Sequence, residues 1–496
     1  MRNQGLFSPF RWFSVFFLLA ALVLASLELV RYSRVRATYP PGLIAAGIPI
    51  GGLDRQLAAQ RILESYATPV ELHYNQDVIH LAPAVVDFQI DIETILAVAD
   101  QQRTQQQFWI GFWDFLWNRS SAHEEVPLRS SYSEDRLRVF LQQEIAQRYD
   151  QPPISAMPVV GTVNFQPGQP GTVLDIDGSV RLIENSLRSL TNRTVELPLQ
   201  RSDPTRPGYQ NLQVLLKQTV DLAGFDGLVG IYLYDLQTSQ ELHFAYLQKQ
   251  DISVQPVEIA FTASSIMKIP IMVSVFKRLG DQPDPETVKL LGDMIDKSGN
   301  EAADWLMDRV IASNRSPLVV GDDMKVIGLE NTFLAGYFYE GAPLMEVVNT
   351  PANQRTDINT DPDPYSQTTP SDIGMLLEDI YRCADSGGGT LAAAFPGQIT
   401  QAECQLMIDY LARNKIGVLI EAGVPDGTRV AHKHGWVSYL GIINTVGDAG
   451  TVFTPGGNYV LVIFLHHPVQ VVWDPASKLV ADLSRAVYNY YNLPSQ

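Results

Sequence analysis

The chain has 496 residues and is acidic, with 36 lysines and arginines against 54 aspartates and glutamates. A formal charge of −18 argues against wrapping nucleic acid, and 46% hydrophobic with 18% charged residues excludes a disordered solvating chain. Two cysteines, Cys383 and Cys404, exclude a disulfide-built scaffold and a four-cysteine zinc site, and at about 150 residues per domain the length suggests roughly three domains.

The charge is unevenly placed. Residues 1–37 carry five Arg and one Glu, net +4; residues 38–205 are net −8 and residues 206–496 net −14. The first lysine is Lys217, so composition breaks near residue 205, where the Pro-rich polar segment RSDPTRPGYQ (201–210) reads as a linker. Trp12 to Val30 is almost wholly apolar, long enough at about 1.5 Å per residue to approach the hydrocarbon thickness of a bilayer. It reads as a transmembrane anchor stopped by Arg31, Arg34 and Arg36; a signal peptide cut after Val23-Leu24-Ala25 is the alternative. Either reading puts residues 1–37 at the cytoplasmic membrane, single-pass if retained, with the bulk of the chain expected on the extracytoplasmic side.

Two stretches of the next 165 residues look alike. The first has Pro69–Tyr74, Ile90-Asp91-Ile92 and a helix from Thr94, with an amphipathic helix upstream at Leu57–Tyr66. The second has Pro158–Phe165, Leu174-Asp175-Ile176 and a helix over Val180–Leu190, with an amphipathic helix upstream at Glu134–Arg148. They predict two small α+β repeats, 38–122 and 123–205. Between them, Trp109, Trp113 and Trp117 recur at spacing four, on one helical face; packing against a neighbouring domain is the expectation, a ligand platform the alternative. PPGLIAAGIPIGGLDRQLAAQRI (40–62) and the two Asp-centred triplets resemble the peptidoglycan-binding domain of VanW-like and some L,D-transpeptidase proteins. The resemblance implies a wall-glycan binder or a stalk, without chemistry of its own.

In residues 206–496 an alternating strand, Leu228–Tyr234, is followed by a turn and a second strand, Glu241–Tyr246. The run from Ser265 to Leu279 is apolar nearly all round, as in a helix buried mid-domain. Lys268 lies three residues after Ser265, so the two share a face. Desolvation lowers the pKa of a buried lysine, which suits it to take a serine proton. Ser298-Gly299-Asn300 separates two apolar-periodic segments, Val288–Ile295 and Ala302–Ile311. Lys433-His434-Gly435 ends a strand-like run from Thr428, with strands expected at Leu440–Thr445, Gly450–Phe453 and Asn458–His466.

Serine-x-x-lysine, Ser-x-Asn and Lys-x-Gly in this order resemble the set of class A β-lactamases and penicillin-binding proteins. Gln367-Thr368-Thr369-Pro370-Ser371 and Gly423–Val430 add to the likeness, which covers 211–493. It implies an α/β (α+β) β-lactamase/transpeptidase-like fold, an antiparallel sheet with helices, behind the two repeats and the transmembrane helix. It also implies roles. Ser265 is then the acylated nucleophile, Lys268 its base, Ser298 the proton donor to the leaving nitrogen, and Lys433 the source of positive potential. Asn300 and Gly435 line the substrate, and the backbone N–H groups of Ser265 and Trp436 form the oxyanion hole. His434 replaces the family's hydroxyl residue, its ring a donor to the substrate carboxylate, and Gly299 replaces an Asp. Ser265 and Ser298 are only 33 residues apart, which implies a more open cleft.

No clear Glu-x-x-Leu-Asn precedes Thr368-Thr369-Pro370; Glu340 is the nearest candidate for a deacylation base, with a surface-loop acid as the alternative. Cys383 and Cys404 form one disulfide or remain two thiols, and His466-His467 reads as surface, not metal. No metal or cofactor is expected. The expected partners are β-lactams or peptidoglycan and the membrane, and nucleic acid is not expected. The expected function is that of an exported, membrane-anchored serine hydrolase acting on β-lactams or D-Ala-D-Ala-type wall peptides. A wall-binding protein with a degenerate hydrolase domain is the alternative.

Overall fold

The computed structural model describes residues 8–119, 124–204, 206–279, 283–413 and 416–493. They fall into two units: Met1–Pro153 with Pro170–Asp203, and Ile154–Gln169 with Pro204–Gln496.

The first unit opens with helix α1 (Ser8–Arg36). Its portion Trp12–Arg36 is long and apolar enough to cross a membrane and packs almost none of its apolar length against protein. The expected helix at 57–66 is α2 (Arg55–Tyr66), N-capped by Asp54. The two Asp-centred triplets share a physical cause. Asp91 caps α3 (Ile92–Thr104) through the Thr94 N–H, and α4 (Phe108–Leu116) follows; Asp175 caps α5 (Ile176–Leu187) through the Gly178 N–H. Strands β1 (Val70–Tyr74), β2 (Asp77–Leu81) and β3 (Thr194–Glu196) form a sheet ordered β3-β1-β2, with β3 parallel to β1.

Residues from both expected repeats fill one core: Leu72, Leu81 and Val86 pack with Leu137, Ile183 and Val195. The Arg193 guanidinium donates to the carbonyls of Tyr66 and Thr68, both at 2.7 Å, tying the halves together. Pro158–Phe165, read as the counterpart of the strand Pro69–Tyr74, is instead the turn of a hairpin pairing Met157–Pro158 with Phe165–Gln166. Gly161, at φ +81°, breaks the extended run, and the hairpin belongs to the second unit, where the Phe165 ring packs at a tilt against Tyr490. The tryptophans also depart from expectation. Trp109, Trp113 and Trp117 are 63%, 60% and 69% exposed, so the first unit does not itself cover them.

In the second unit, six antiparallel strands run β6-β5-β4-β9-β8-β7: β4 (Leu228–Asp235), β5 (Glu241–Leu247), β6 (Gln250–Ile252), β7 (Arg429–Tyr439), β8 (Ile442–Phe453) and β9 (Tyr459–His466). The two short strands expected at 440–453 are one, β8, paired along its length with β7 and β9. Every residue of β4 and β9 is buried because both sheet faces are covered. Val460, Val462 and Phe464 enter the core around helix α6 (Lys268–Phe276), whereas Leu461, Ile463 and Leu465 face the core of the carboxy-terminal helix Trp473–Tyr491.

Cys383 and Cys404 are bonded, joining α8 (Pro370–Ser386) to α9 (Gln401–Leu411); α7 is Asn300–Leu306. His466 is buried, not on the surface, and its ring nitrogen pairs with the Thr445 hydroxyl at 3.0 Å.

Candidate active site

Ser265 sits in a tight 3₁₀ turn, Ser264–Met267, that leads into α6. All nine residues of α6 are buried, so Lys268 at its start is wholly enclosed. Its Nζ lies 2.7 Å from Ser265 Oγ and donates to Asn300 Oδ1 at 2.7 Å. Burial, helped by the positive charge of Lys433, brings Lys268 down to about 7. A lysine poised there is neutral half the time near neutrality and able to accept the Oγ proton.

Lys433 comes from edge strand β7. It too is wholly buried, its Nζ donates to Ser298 Oγ at 2.9 Å, and burial lowers it to about 8. Three hydrogen bonds therefore join the five expected residues as a triplet, Ser265–Lys268–Asn300, and a pair, Ser298–Lys433, which the two-residue step from Ser298 to Asn300 sets side by side. The backbone is constrained around both serines of the site: Ser264, before Ser265, and Ser298 adopt left-handed φ of +48° and +55°. For non-glycine residues such conformations cost on the order of 1 kcal/mol or more and persist where the surroundings impose them.

Gly435 is required by close approach. A Cβ there would stand 2.7 Å from the Ala263 carbonyl and 3.0 Å from the Ser265 nitrogen. Strand β7 thus lies against the turn that carries Ser265, with Gly435 beside the Ser265 nitrogen. Gly299 is tight as well: a side chain at that position would press on the Asp293 carbonyl at 3.0 Å, which accounts for glycine there.

His434 does not join this cluster. Side chains alternate along a strand, so Lys433 and Gly435 face Ser265 while His432, His434 and Trp436 face the opposite core. The His434 ring is buried and stacked on Trp436 with centroids 4.7 Å apart. Burial and then Lys433 push the ring down to about 3, so it is neutral and its Nε2 has no hydrogen-bond partner among the described residues, while the backbone carbonyl of His434 accepts from Lys433 Nζ at 3.2 Å. Beside it lies a pair not foreseen from sequence. His432 Nδ1 meets the Asp448 carboxylate at 3.0 Å and Nε2 lies 3.4 Å from Glu421, while Asp448 accepts the Ile420 N–H at 3.0 Å. Burial alone would lower His432, but the two carboxylates overcome it and raise the ring to about 9.

Glu340 is exposed. The side chain of its segment that faces the lysine is Phe338, whose ring centre lies 4.7 Å from Lys268 Nζ. Asp304, on α7 and four residues after Asn300, fixes that segment by accepting the Phe338 N–H at 2.9 Å. Burial raises the Asp304 carboxyl, and its other oxygen has no hydrogen-bond partner among the described residues. These residues also offer no cluster of three or more metal-ligating side chains.

Residues 281–491 match the model of the beta-lactamase enzyme family. Residues 281–491 are thus similar to the β-lactamase family. A β-lactamase of Bacillus licheniformis is 32% identical over 103 residues, which are 21% of this chain and 32% of that enzyme, so the chain spans about a third of the curated relative it matches. Among solved structures, PBP-A is 23% identical with a TM-score of 0.40, over 58% of this chain and 99% of PBP-A. A β-lactamase from Desulfarculus baarsii is 16% identical with a TM-score of 0.41, over 58% of this chain and 100% of that one.

The β-lactamase match begins after Ser265 and Lys268 and includes Ser298, Asn300 and Lys433. Sequence reasoning missed Phe338, Asp304 and the His432–Asp448 pair. Asp304 was accessible to it, since an acid four residues after Asn300 shares its helical face.

Proposed function

We propose that the carboxy-terminal domain is a serine acyl-transfer hydrolase that forms an acyl-enzyme on Ser265 from β-lactams or D-Ala-D-Ala-type wall peptides and releases it slowly. The observation that carries the reading is Lys268, enclosed without a carboxylate hydrogen-bonded to it and bridging Ser265 Oγ and Asn300 Oδ1. In its neutral form Lys268 takes the Oγ proton as Oγ attacks the carbonyl carbon. The developing oxyanion is met by backbone N–H groups at Ser265 and Trp436. The carbonyl–nitrogen bond then breaks, Ser298 gives its proton to the leaving nitrogen, and Lys433 resupplies Ser298. Asn300 aligns the substrate amide.

Slow release is supported by Phe338. Deacylation needs a base to activate water, and the segment expected to hold one presents an aromatic ring to Lys268 and an exposed Glu340. Residues 38–205 serve as a spacer or wall-glycan binder, and α1 holds the chain at the cytoplasmic membrane with its bulk outside, supported by the apolar length of that helix.

A fluorescent penicillin added to the purified full chain tests the acyl-transfer reading. A covalent label that persists over time on the wild type and is absent from Ser265→Ala is expected. No label on the wild type sinks the reading; a label that forms and vanishes within seconds refutes slow release.

A further inference from the structure

Helix α4 is unusual in where its aromatic residues point. Tyr32, near the end of α1, is buried among Phe108, Phe112 and Phe115, with ring centroids 5.3–5.6 Å away. Arg36 adds a hydrogen bond to the Gln106 carbonyl at 3.1 Å and lies over the Phe108 ring. One face of α4 is thus bound to the end of α1, and the other carries Trp109, Trp113 and Trp117 uncovered. A cavity of about 670 Å³ between these elements is lined by Arg36, Arg103 and Arg119 against one acid, Asp114, which leaves it net positive although Arg103 also pairs with Asp100 at 3.1 Å. Arg36 Nη1 is buried there without a hydrogen-bond partner among the described residues.

The length of α1 sets the level of α4. A span beginning at Trp12 crosses a hydrocarbon layer of about 30 Å in roughly 20 residues, which brings the boundary to Arg31. Tyr32 is the next residue, so the helix packed on it stands where hydrocarbon gives way to headgroups. Tryptophan is enriched at this depth because its ring is apolar and its N–H seeks water. Arginines at the same level meet lipid phosphates.

We propose that α4 is an interfacial membrane helix: it lies in the headgroup layer of the bilayer that α1 spans, with its tryptophan face in lipid and the arginine-lined cavity open to phosphate headgroups. The inference rests on reading α1 as a membrane span. The occupant is the lipid surface, because the uncovered face is continuous with the lipid-facing helix and its rim is cationic.

Spin labels on single cysteines introduced into the full chain test this, the native pair being bonded. The chain is reconstituted in vesicles of phosphatidylcholine and phosphatidylglycerol, and collisions with oxygen and a water-soluble nickel chelate are compared. Leu22→Cys marks the hydrocarbon and Asp426→Cys, in an exposed loop, marks water. Trp113→Cys, and Trp117→Cys should the first not fold, is expected to show an oxygen-to-nickel ratio several-fold above that at 426 and below that at 22. A ratio equal to that at 426 while position 22 reads as deep overturns the inference and leaves the span standing. Shielding from both reagents overturns it in favour of a protein partner. An aqueous reading at 22 removes the span and this inference with it.

Discussion

Strand β7 separates two buried charge clusters that obey opposite rules. On one face Lys268 and Lys433 are wholly enclosed, with hydroxyl and amide partners rather than bonded carboxylates, and both are lowered, to about 7 and about 8. On the other, His432 is equally enclosed but meets Asp448 and Glu421, and is raised to about 9. Burial is the same; the partner decides the sign. The unpaired face keeps groups near their titration points, where proton transfer is cheap, and the paired face keeps a fixed charge that ties α10 (Ile420–Gly423) to the sheet through the Ile420 N–H.

The largest effect that tests this contrast is on chemistry. Lys268→Met removes the base and is expected to slow acylation of Ser265 by about a thousandfold, within the usual range for a general base. Stopped-flow quenching with a fluorescent penicillin reads the rate; a loss under tenfold would break the assignment. Next comes stability. Asp448→Asn leaves His432 buried without its main partner and is expected to cost about 3 kcal/mol in urea unfolding, while the folded fraction still forms the adduct.

The two faces should also respond oppositely to pH. Acylation rises as Lys268 loses its proton through about 7 and falls as Lys433 loses its charge through about 8, giving a narrow bell. His432, raised above its ordinary 6.5, contributes stability that is full below 6.5 and lost as pH rises through about 9. The lysines pull the other way, so the measurement is the difference in Tm between wild type and His432→Gln. It should shrink from pH 6.5 to pH 9; a constant difference would deny the ion pair. The smallest effect expected is that of Glu340→Gln, which should leave lactam turnover within about twofold, since exposed loop substitutions seldom matter more. A larger loss would restore Glu340 as the deacylation base.

The serine–lysine cluster was legible because each part is local: Ser265 and Lys268 share one turn, and Ser298 opens the helix that carries Asn300. Lys433 was legible from its place in a strand. His434 was expected to reach the substrate beside Lys433 and Gly435, although alternation alone sets the side chains of His432, His434 and Trp436 on the opposite face. Asp448 depended on hairpin register, which pairs it with His434 and sets it diagonal to His432. Phe338 was hidden for a different reason: it is brought to Lys268 by a loop whose course Asp304 fixes, and no periodicity encodes a loop. The likeness of 158–165 to Pro69–Tyr74 was superficial: Val70, Leu72 and Tyr74 alternate, whereas Val159 and Val160 are adjacent and Gly161 turns the chain.

The hairpin at 154–169 makes the polypeptide pass between the two units three times, near residues 153, 169 and 203. A protease cutting the Pro-rich segment beside residue 205 therefore cannot release the second unit whole. The amino-terminal fragment would still hold Ala156 and Phe165 in the other fragment's core, and Val163 and Asn164 on Asn489. Nicked protein should stay together in native buffer and part only in denaturant, and a gene fragment beginning at residue 206 would encode a domain with a piece of its own interior missing.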